Sequence, residues 1–201
     1  MDIPIIVLGA GQSTRMGGTD KLLQHVDGQP LIRRQADMAR RATTGAVIVA
    51  LPPAPHPRYA ALQGLDVQTL GVEDAAEGMN ASLRAAFAAL PEDSRAAMLV
   101  LADLPDLTMD DLKSVGQAVD KKPEMLVWRG ATETGKPGHP VVFAASLFPA
   151  FAALSGDSGG QDVVRQAQGR VALVPLQGTR ARLDLDTPEA WAAWRAVNPD
   201  R

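Results

Sequence analysis

No cysteine occurs among the 201 residues. Disulfides, zinc–thiolate sites, iron–sulfur clusters and a cysteine nucleophile are thereby excluded. Histidine is scarce too: His25, His56 and His139 stand too far apart for a histidine-rich metal site. Aromatic side chains make up only 4%, so a core must be built from aliphatic residues and alanine. Neither sign of charge dominates. Twenty Lys and Arg against 23 Asp and Glu leave a net −3; general nucleic-acid binding, which needs surplus cations to displace counterions from phosphates, is not expected. The longest apolar run, Ile3 to Ala10, contains Pro4 and Gly9 and falls far short of a bilayer span. It also lacks the basic flank and small-residue cleavage site of a secretory leader. The expectation is a cytoplasmic protein without membrane association. Apolar content, by contrast, is ample at 46%, enough for a full-sized core in a single domain over residues 1–201.

Short apolar runs alternate with helical stretches. Ile3–Leu8, Ala46–Leu51, Val67–Leu70, Met98–Ala102, Met125–Trp128, Pro140–Phe143 and Val171–Leu176 read as strands. Leu31–Arg41, Ala81–Leu90, Thr108–Val119, Ala144–Leu154, Gln161–Gln168 and Pro188–Val197 read as helices, the third opened by a Thr108/Asp111 pair resembling a capping box. Continuous rather than alternating apolar strands imply burial on both faces. The fold class that follows is α/β: a three-layer α/β/α domain around a mainly parallel, Rossmann-like sheet. In such sheets ligands bind beyond the carboxyl ends of the strands.

The segment after the first strand, Gly9-Ala10-Gly11-Gln12-Ser13-Thr14-Arg15-Met16-Gly17-Gly18-Thr19-Asp20-Lys21, carries four glycines, an arginine and a lysine. Glycines let backbone N–H groups turn around an anion, and the two cations suit a triphosphate. It is neither of two familiar phosphate loops. A dinucleotide fingerprint needs glycine where Thr14 stands, and a Walker A loop needs Gly-Lys-Ser/Thr where Asp20-Lys21-Leu22 stands. An ordinary strand-to-helix connection with solvated charges is the plain alternative.

Carboxylates form the second constellation. Asp103 closes a buried strand, immediately before Leu104-Pro105, and a carboxylate there needs a partner. Mg²⁺, a hard cation held by one or two carboxylates and phosphate oxygens, is a natural one. Asp184 and Asp186 alternate with Leu185, which puts both acids on one face of an extended segment and Leu185 toward the core. On the residues alone Asp186 has two readings, metal ligand or N-cap of the helix opened by Pro188. Asp106, Asp110 and Asp111 read as capping and first-turn acids; Asp157, in a glycine-rich loop, reads as turn chemistry or a substrate contact. Trp128, Trp191 and Trp194 lie in apolar elements and read as packing residues. Arg33, Arg34, Arg40 and Arg41 read as a solvated face of one helix.

The pattern Gly-x-Ser-x-Arg-Met-Gly followed by Lys21-Leu22-Leu23 resembles the signature loop of the MobA-like nucleotidyltransferases, and within them the molybdenum cofactor cytidylyltransferases. Leu101-Ala102-Asp103-Leu104-Pro105 is similar to that family's Asp-x-Pro metal motif and Gly78–Leu83 to its nucleotide-contacting segment. Gly138-His139-Pro140, Gly156–Gly160 and Asp184–Glu189 are similar to its later motifs. The resemblance implies a Mg²⁺-dependent transfer of CMP from CTP to the phosphate of molybdopterin-bound molybdenum cofactor, with release of pyrophosphate. It implies Asp103 and Asp186 as metal ligands. Arg15 and Lys21 would stabilise the triphosphate, and Arg15, Lys21 and Asp103 would carry catalysis. Leu8, Gly9, Ala10, Gly11 and Ser82 would hold the nucleotide, and His139 would contact the pterin. A molybdoenzyme chaperone is a further implied partner. Gly9-Ala10-Gly11 resembles the cytidylyl pattern Ala-Ala-Gly, with Gly9 as the departure; the guanylyl branch carries paired glycines. Three rivals stand beside this reading. A nucleotidyltransferase using GTP or another acceptor phosphate is the first. A nucleotide-dependent reductase is the second, and Ala50–Pro53 offers no ribose-binding acid for it. The third is a cofactor carrier without turnover.

Overall fold

The computed structural model describes residues 1–155 and 159–201. In chain order the elements are β1 (Ile5–Leu8), the hairpin β2 (His25–Val26) and β3 (Gln29–Pro30), α1 (Leu31–Ala42), β4 (Val47–Leu51), α2 (Pro57–Ala61), β5 (Gln68–Gly71), α3 (Met79–Ala88), β6 (Ala96–Leu101), α4 (Met109–Lys121), β7 (Val127–Ala131), β8 (Pro137–Ala144), α5 (Phe148–Ala152), α6 (Gln161–Gln166), β9 (Val171–Pro175) and α7 (Pro188–Val197). Seven strands form one sheet in the order β5-β4-β1-β6-β8-β7-β9, with β2–β3 apart. Within the seven-stranded sheet only β8 runs against its neighbours, pairing antiparallel with β6 and β7. The other contacts are parallel. The expected α/β sandwich with a mainly parallel sheet is what the chain forms.

Alternate residues of the inner strands serve two cores. Ile5 and Val7 face the layer of α1, α4 and α7 with Leu31, Leu112 and Trp191, while Ile6 faces the layer of α3, α5 and α6 with Leu83, Phe151 and Val163. This is why β1, β4 and β6 are apolar at successive positions. All four phenylalanines gather in the second layer, Phe87 stacking on Phe151 at 3.5 Å between ring centres and meeting Phe143 and Phe148 edge-on. Trp128, Trp191 and Trp194 are buried packing residues, as expected. The capping box is present, with Thr108 Oγ1 accepting from Asp111 N and Asp111 accepting from Thr108 N.

Several local expectations need correction. The Val67–Leu70 run forms an edge strand, largely exposed, because β5 has a neighbour on one side only. Ala144–Leu154 is not one helix: a 3₁₀ turn at Ala145–Leu147 leads into the five-residue α5, which starts with Phe148-Pro149. Of the four arginines of α1 only Arg41 is a solvated side chain, facing Asp37 one turn back; the other three are tied down. Arg33 donates to the carbonyls of Ala61 and Gln63, Arg34 to Asp27, and Arg40 to the carbonyls of Thr43 and Gly45. Asp106 caps nothing; it accepts from Trp194 Nε1 and pairs with Arg201. Among the described residues no helix is long and apolar enough to cross a membrane.

Candidate active site

The carboxyl ends of β1, β4 and β6 and the start of antiparallel β8 lie along one edge of the sheet. Two backbone bonds bring the late segment to that edge: His139 N donates to Ala181 O (2.8 Å) and Leu185 N to Asp103 O (3.3 Å). The first contact requires glycine at 138, since a Cβ there would stand 2.1 Å from Ala181 O. Trp191 Nε1 donates to Leu185 O from the following helix (3.1 Å), and Leu185 is buried as its alternation with the two acids predicts. The N-cap reading of Asp186 does not hold. Thr187 is the cap of α7, its hydroxyl accepting from Ala190 N, and the Asp186 carboxylate is left for the site.

Asp103 and Asp186, 83 positions apart in sequence, meet at Lys21. Lys21 Nζ lies 2.5 Å from Asp103 Oδ2 and 2.5 Å from Asp186 Oδ1. Arg15, mostly exposed, pairs with the other oxygen of Asp186. Burial alone would push the Lys21 pKa down, but the two carboxylates outweigh it and hold the ammonium above its ordinary value. Burial likewise works to raise Asp186; Lys21, a hydrogen bond with Asp184 and Arg15 together bring it below the usual carboxylate range. Asp184 is raised, by burial first and by its contact with Asp186 second. Asp103 Oδ1 is buried with no hydrogen-bond partner. Among the described residues no three His, Cys, Asp or Glu group as a self-sufficient metal cage. The donor set is two or three carboxylate groups in a row with an orphaned oxygen, which suits a hard cation completed by ligand oxygens.

In front of these groups is a cavity of about 390 Å³. Leu8, Gly9, Ala10 and Gly11 line one wall, with Gln12 and Thr14; Gly78, Met79 and Ser82 line the facing wall; Lys21 and Asp103 close it. Gly78 stands at the head of α3 with φ +113°, a conformation for glycine. Asn80, in the same segment, faces away and donates to Ser155 O. Arg15 and Asp186 do not line this cavity; they flank it through Lys21. His139 does not line it either. It opens on a neighbouring cavity of about 240 Å³, shared with Arg129, Arg182, Asp184 and Gln161; Leu101 lines both cavities. His139 Nδ1 is buried without a partner. Burial, with Arg129 adding repulsion, pushes the imidazole pKa down to about 4. Arg129, 8% exposed, spends its Nε on Gly138 O, and its pKa is lowered by burial and by Arg182. Asp157 lies outside the described residues.

The family described as the MobA-like NTP transferase domain matches residues 5–171. The chain belongs to that family. Among curated proteins, a probable molybdenum cofactor guanylyltransferase of Synechococcus elongatus is 33% identical over 126 residues, 62% of each chain. The bifunctional protein GlmU of Leifsonia xyli is 30% identical over 174 residues, 85% of this chain. The chain thus spans 31% of the length of one of these curated relatives and 62% of the other. Among solved structures, Rv0371c of Mycobacterium tuberculosis superposes with TM-score 0.81 at 28% identity, over 96% of this chain and 97% of that one. A manganese complex of Rv0371c superposes at 0.78 with 26% identity, over the same shares of the two chains.

One residue of this MobA-like site escapes the sequence. Arg58, only 1% exposed, sits behind the glycine loop and forms a bidentate pair with Asp20 (2.7 and 2.8 Å). It follows the proline-rich stretch 52–57, which reads as a plain loop. His56, given no role from sequence, accepts from Arg58 N and starts α2. A lone arginine after a turn carries no motif or periodicity, so only the folded chain reveals it.

Proposed function

We propose that the protein transfers a nucleotidyl group from a nucleoside triphosphate, CTP before others, to the phosphate of a molybdopterin-type acceptor and releases pyrophosphate. The observation that carries this reading is Lys21, whose ammonium stands 2.5 Å from both Asp103 and Asp186 on the wall of the loop-lined cavity. The base would lie between the Leu8–Gly11 backbone and Ser82, and the phosphates would run along the loop toward Lys21. The acceptor phosphate attacks the α-phosphorus; the bond to the bridging oxygen breaks and pyrophosphate leaves. That phosphate is anionic near neutral pH, so no strong general base is required. The barrier lies in bringing anions together and neutralising charge, which Lys21 and Arg15 would do. Asp103 and Asp186 would hold Mg²⁺, which when bound supplies charge neutralisation at the phosphate oxygens. The orphaned Asp103 Oδ1 and the manganese complex of Rv0371c support that assignment.

The second cavity suits the acceptor. Arg129 and Arg182 face it and have no ion-pair partner among the described residues, and His139 offers a ring nitrogen. Gly9 departs from the cytidylyl pattern; a Cβ there would meet Ile32 Cδ1 at 2.6 Å, so an alanine needs the Ile32 side chain to shift. Ala10 keeps the cytidylyl residue on the cavity wall. Guanylyl transfer is the second reading, favoured by the name of the Synechococcus relative. Pyrophosphate release with molybdopterin-type acceptor and either CTP or GTP separates the two. Faster turnover with CTP is expected; faster turnover with GTP would transfer the assignment to the guanylyl branch.

A further inference from the structure

The glycine loop owes its shape to a group outside it. All five N–H bonds of the Arg58 guanidinium are spent on that loop and its far end. Nη1 donates to Gly9 O (2.6 Å) and Gly11 O (2.8 Å), Nη2 to Ser13 Oγ (3.2 Å) and Asp20 Oδ1 (2.7 Å), and Nε to Asp20 Oδ2 (2.8 Å). No donor remains for a substrate. The consequence for the backbone is geometric. A trans peptide sets its N–H opposite to its C=O. With the carbonyls of Gly9 and Gly11 turned back to Arg58, the N–H groups of Ala10 and Gln12 are turned forward, to the cavity that both residues line. Neither N–H has a hydrogen-bond acceptor among the described residues. The two amides alternate along the loop, and free N–H groups turned into one concave wall can bind an anion. Ser13, with φ +54°, continues the turn.

The same guanidinium reaches Lys21. Asp20 Oδ1 accepts from Leu22 N (2.9 Å), and Ser13 Oγ, which Arg58 contacts, accepts from Lys21 N (3.3 Å). Asp20 neutralises Arg58, and burial, which would raise the Asp20 carboxyl, is outweighed by that contact. We infer that Arg58 is a positioning residue for triphosphate binding: it turns two loop amides toward the phosphates and fixes the root of Lys21, without touching the substrate. The inference rests on the nucleotidyl-transfer reading and adds to it a residue and a division of labour.

The test compares Arg58→Ala, Arg58→Lys and the double variant Arg58→Met/Asp20→Asn in the full chain. Triphosphate binding is measured by calorimetry, KM and kcat by pyrophosphate release. Arg58→Ala should raise the KM for triphosphate at least about tenfold and lower kcat/KM about a hundredfold, with the acceptor KM unchanged. Guanidinium ion at millimolar concentration should restore at least about tenfold of the loss. Lysine, a point charge without the planar fork, should not substitute. The double variant leaves no lone buried charge, so its thermal midpoint should stay near that of the starting protein while triphosphate affinity falls as in Arg58→Ala. Triphosphate KM unchanged in the double variant, or equal losses for both substrates without rescue by guanidinium, would overturn the inference. An unsubstituted protein that binds no triphosphate would instead sink the nucleotidyl-transfer reading itself.

Discussion

The two cavities at the carboxyl edge of the sheet follow opposite electrostatic plans. Around the glycine loop every cation has a carboxylate: Lys21 has two, Arg15 and Arg58 one each. Around His139, Arg129 and Arg182 have none among the described residues, and the imidazole is held neutral at ordinary pH. Paired charges fix geometry. They suit a polyphosphate that must be laid out along a defined path, because the donors are oriented before it arrives. Unpaired charges leave a standing positive potential, which draws in an anionic acceptor but orients it less. The contrast is what underlies the proposal that one cavity takes the nucleotide and the other its acceptor.

The sharpest break of that contrast is on the paired side. Lys21→Ala removes the cation that both carboxylates share and should lower turnover about a hundred- to a thousandfold, equivalent to roughly 3–4 kcal/mol, with the fold kept; a pyrophosphate-release assay reads it, and an unchanged rate takes Lys21 out of the mechanism. Next is the buried imidazole. The folded pKa of His139, about 4, lies below the unfolded 6.5, so the native state binds fewer protons between those values. Its stability is complete above pH 6.5 and declines as pH falls toward 4, by roughly 3 kcal/mol. Denaturation midpoints of His139→Gln across that window should show a shallower decline; an identical slope would remove His139 as the cause. On the unpaired side, Arg129→Met should raise the acceptor KM about tenfold while sparing that of the triphosphate. A rise in triphosphate KM instead would erase the division between the cavities. The smallest effect belongs to the cap that frees Asp186: Thr187→Ala should cost about 1 kcal/mol of stability in a denaturant titration.

Much of this arrangement was legible before folding. Burial on both sheet faces shows in the unbroken apolar runs of β1, β4 and β6; the loop and Asp103 show in motifs tied to strand ends, and Asp186 in one that precedes the last helix. The strand at β5 is legible, but its exposure and the shortness of α5 are not, because apolar content does not reveal how many neighbours an element has. Asp186 was ambiguous because Asp-Thr-Pro offers two caps, and only the Thr187–Ala190 contact decides between them. The role of Arg58 and the convergence of Arg129 and Arg182 on one cavity have no sequence signal, since they depend on which residues a distant turn or strand brings together. The contacts of Arg33 and Arg40 are hidden for the same reason: carbonyl acceptors have no sequence signature.

Thermal-shift titration with CTP, GTP, ATP and NADPH, each with and without Mg²⁺, tests the central claim most directly when run on the unsubstituted protein beside Asp103→Asn/Asp186→Asn. The account predicts a midpoint raised by CTP only when Mg²⁺ is present, and no such Mg²⁺-dependent rise in the double variant. Stabilisation by NADPH alone, or a CTP shift indifferent to both Mg²⁺ and the two substitutions, would contradict it.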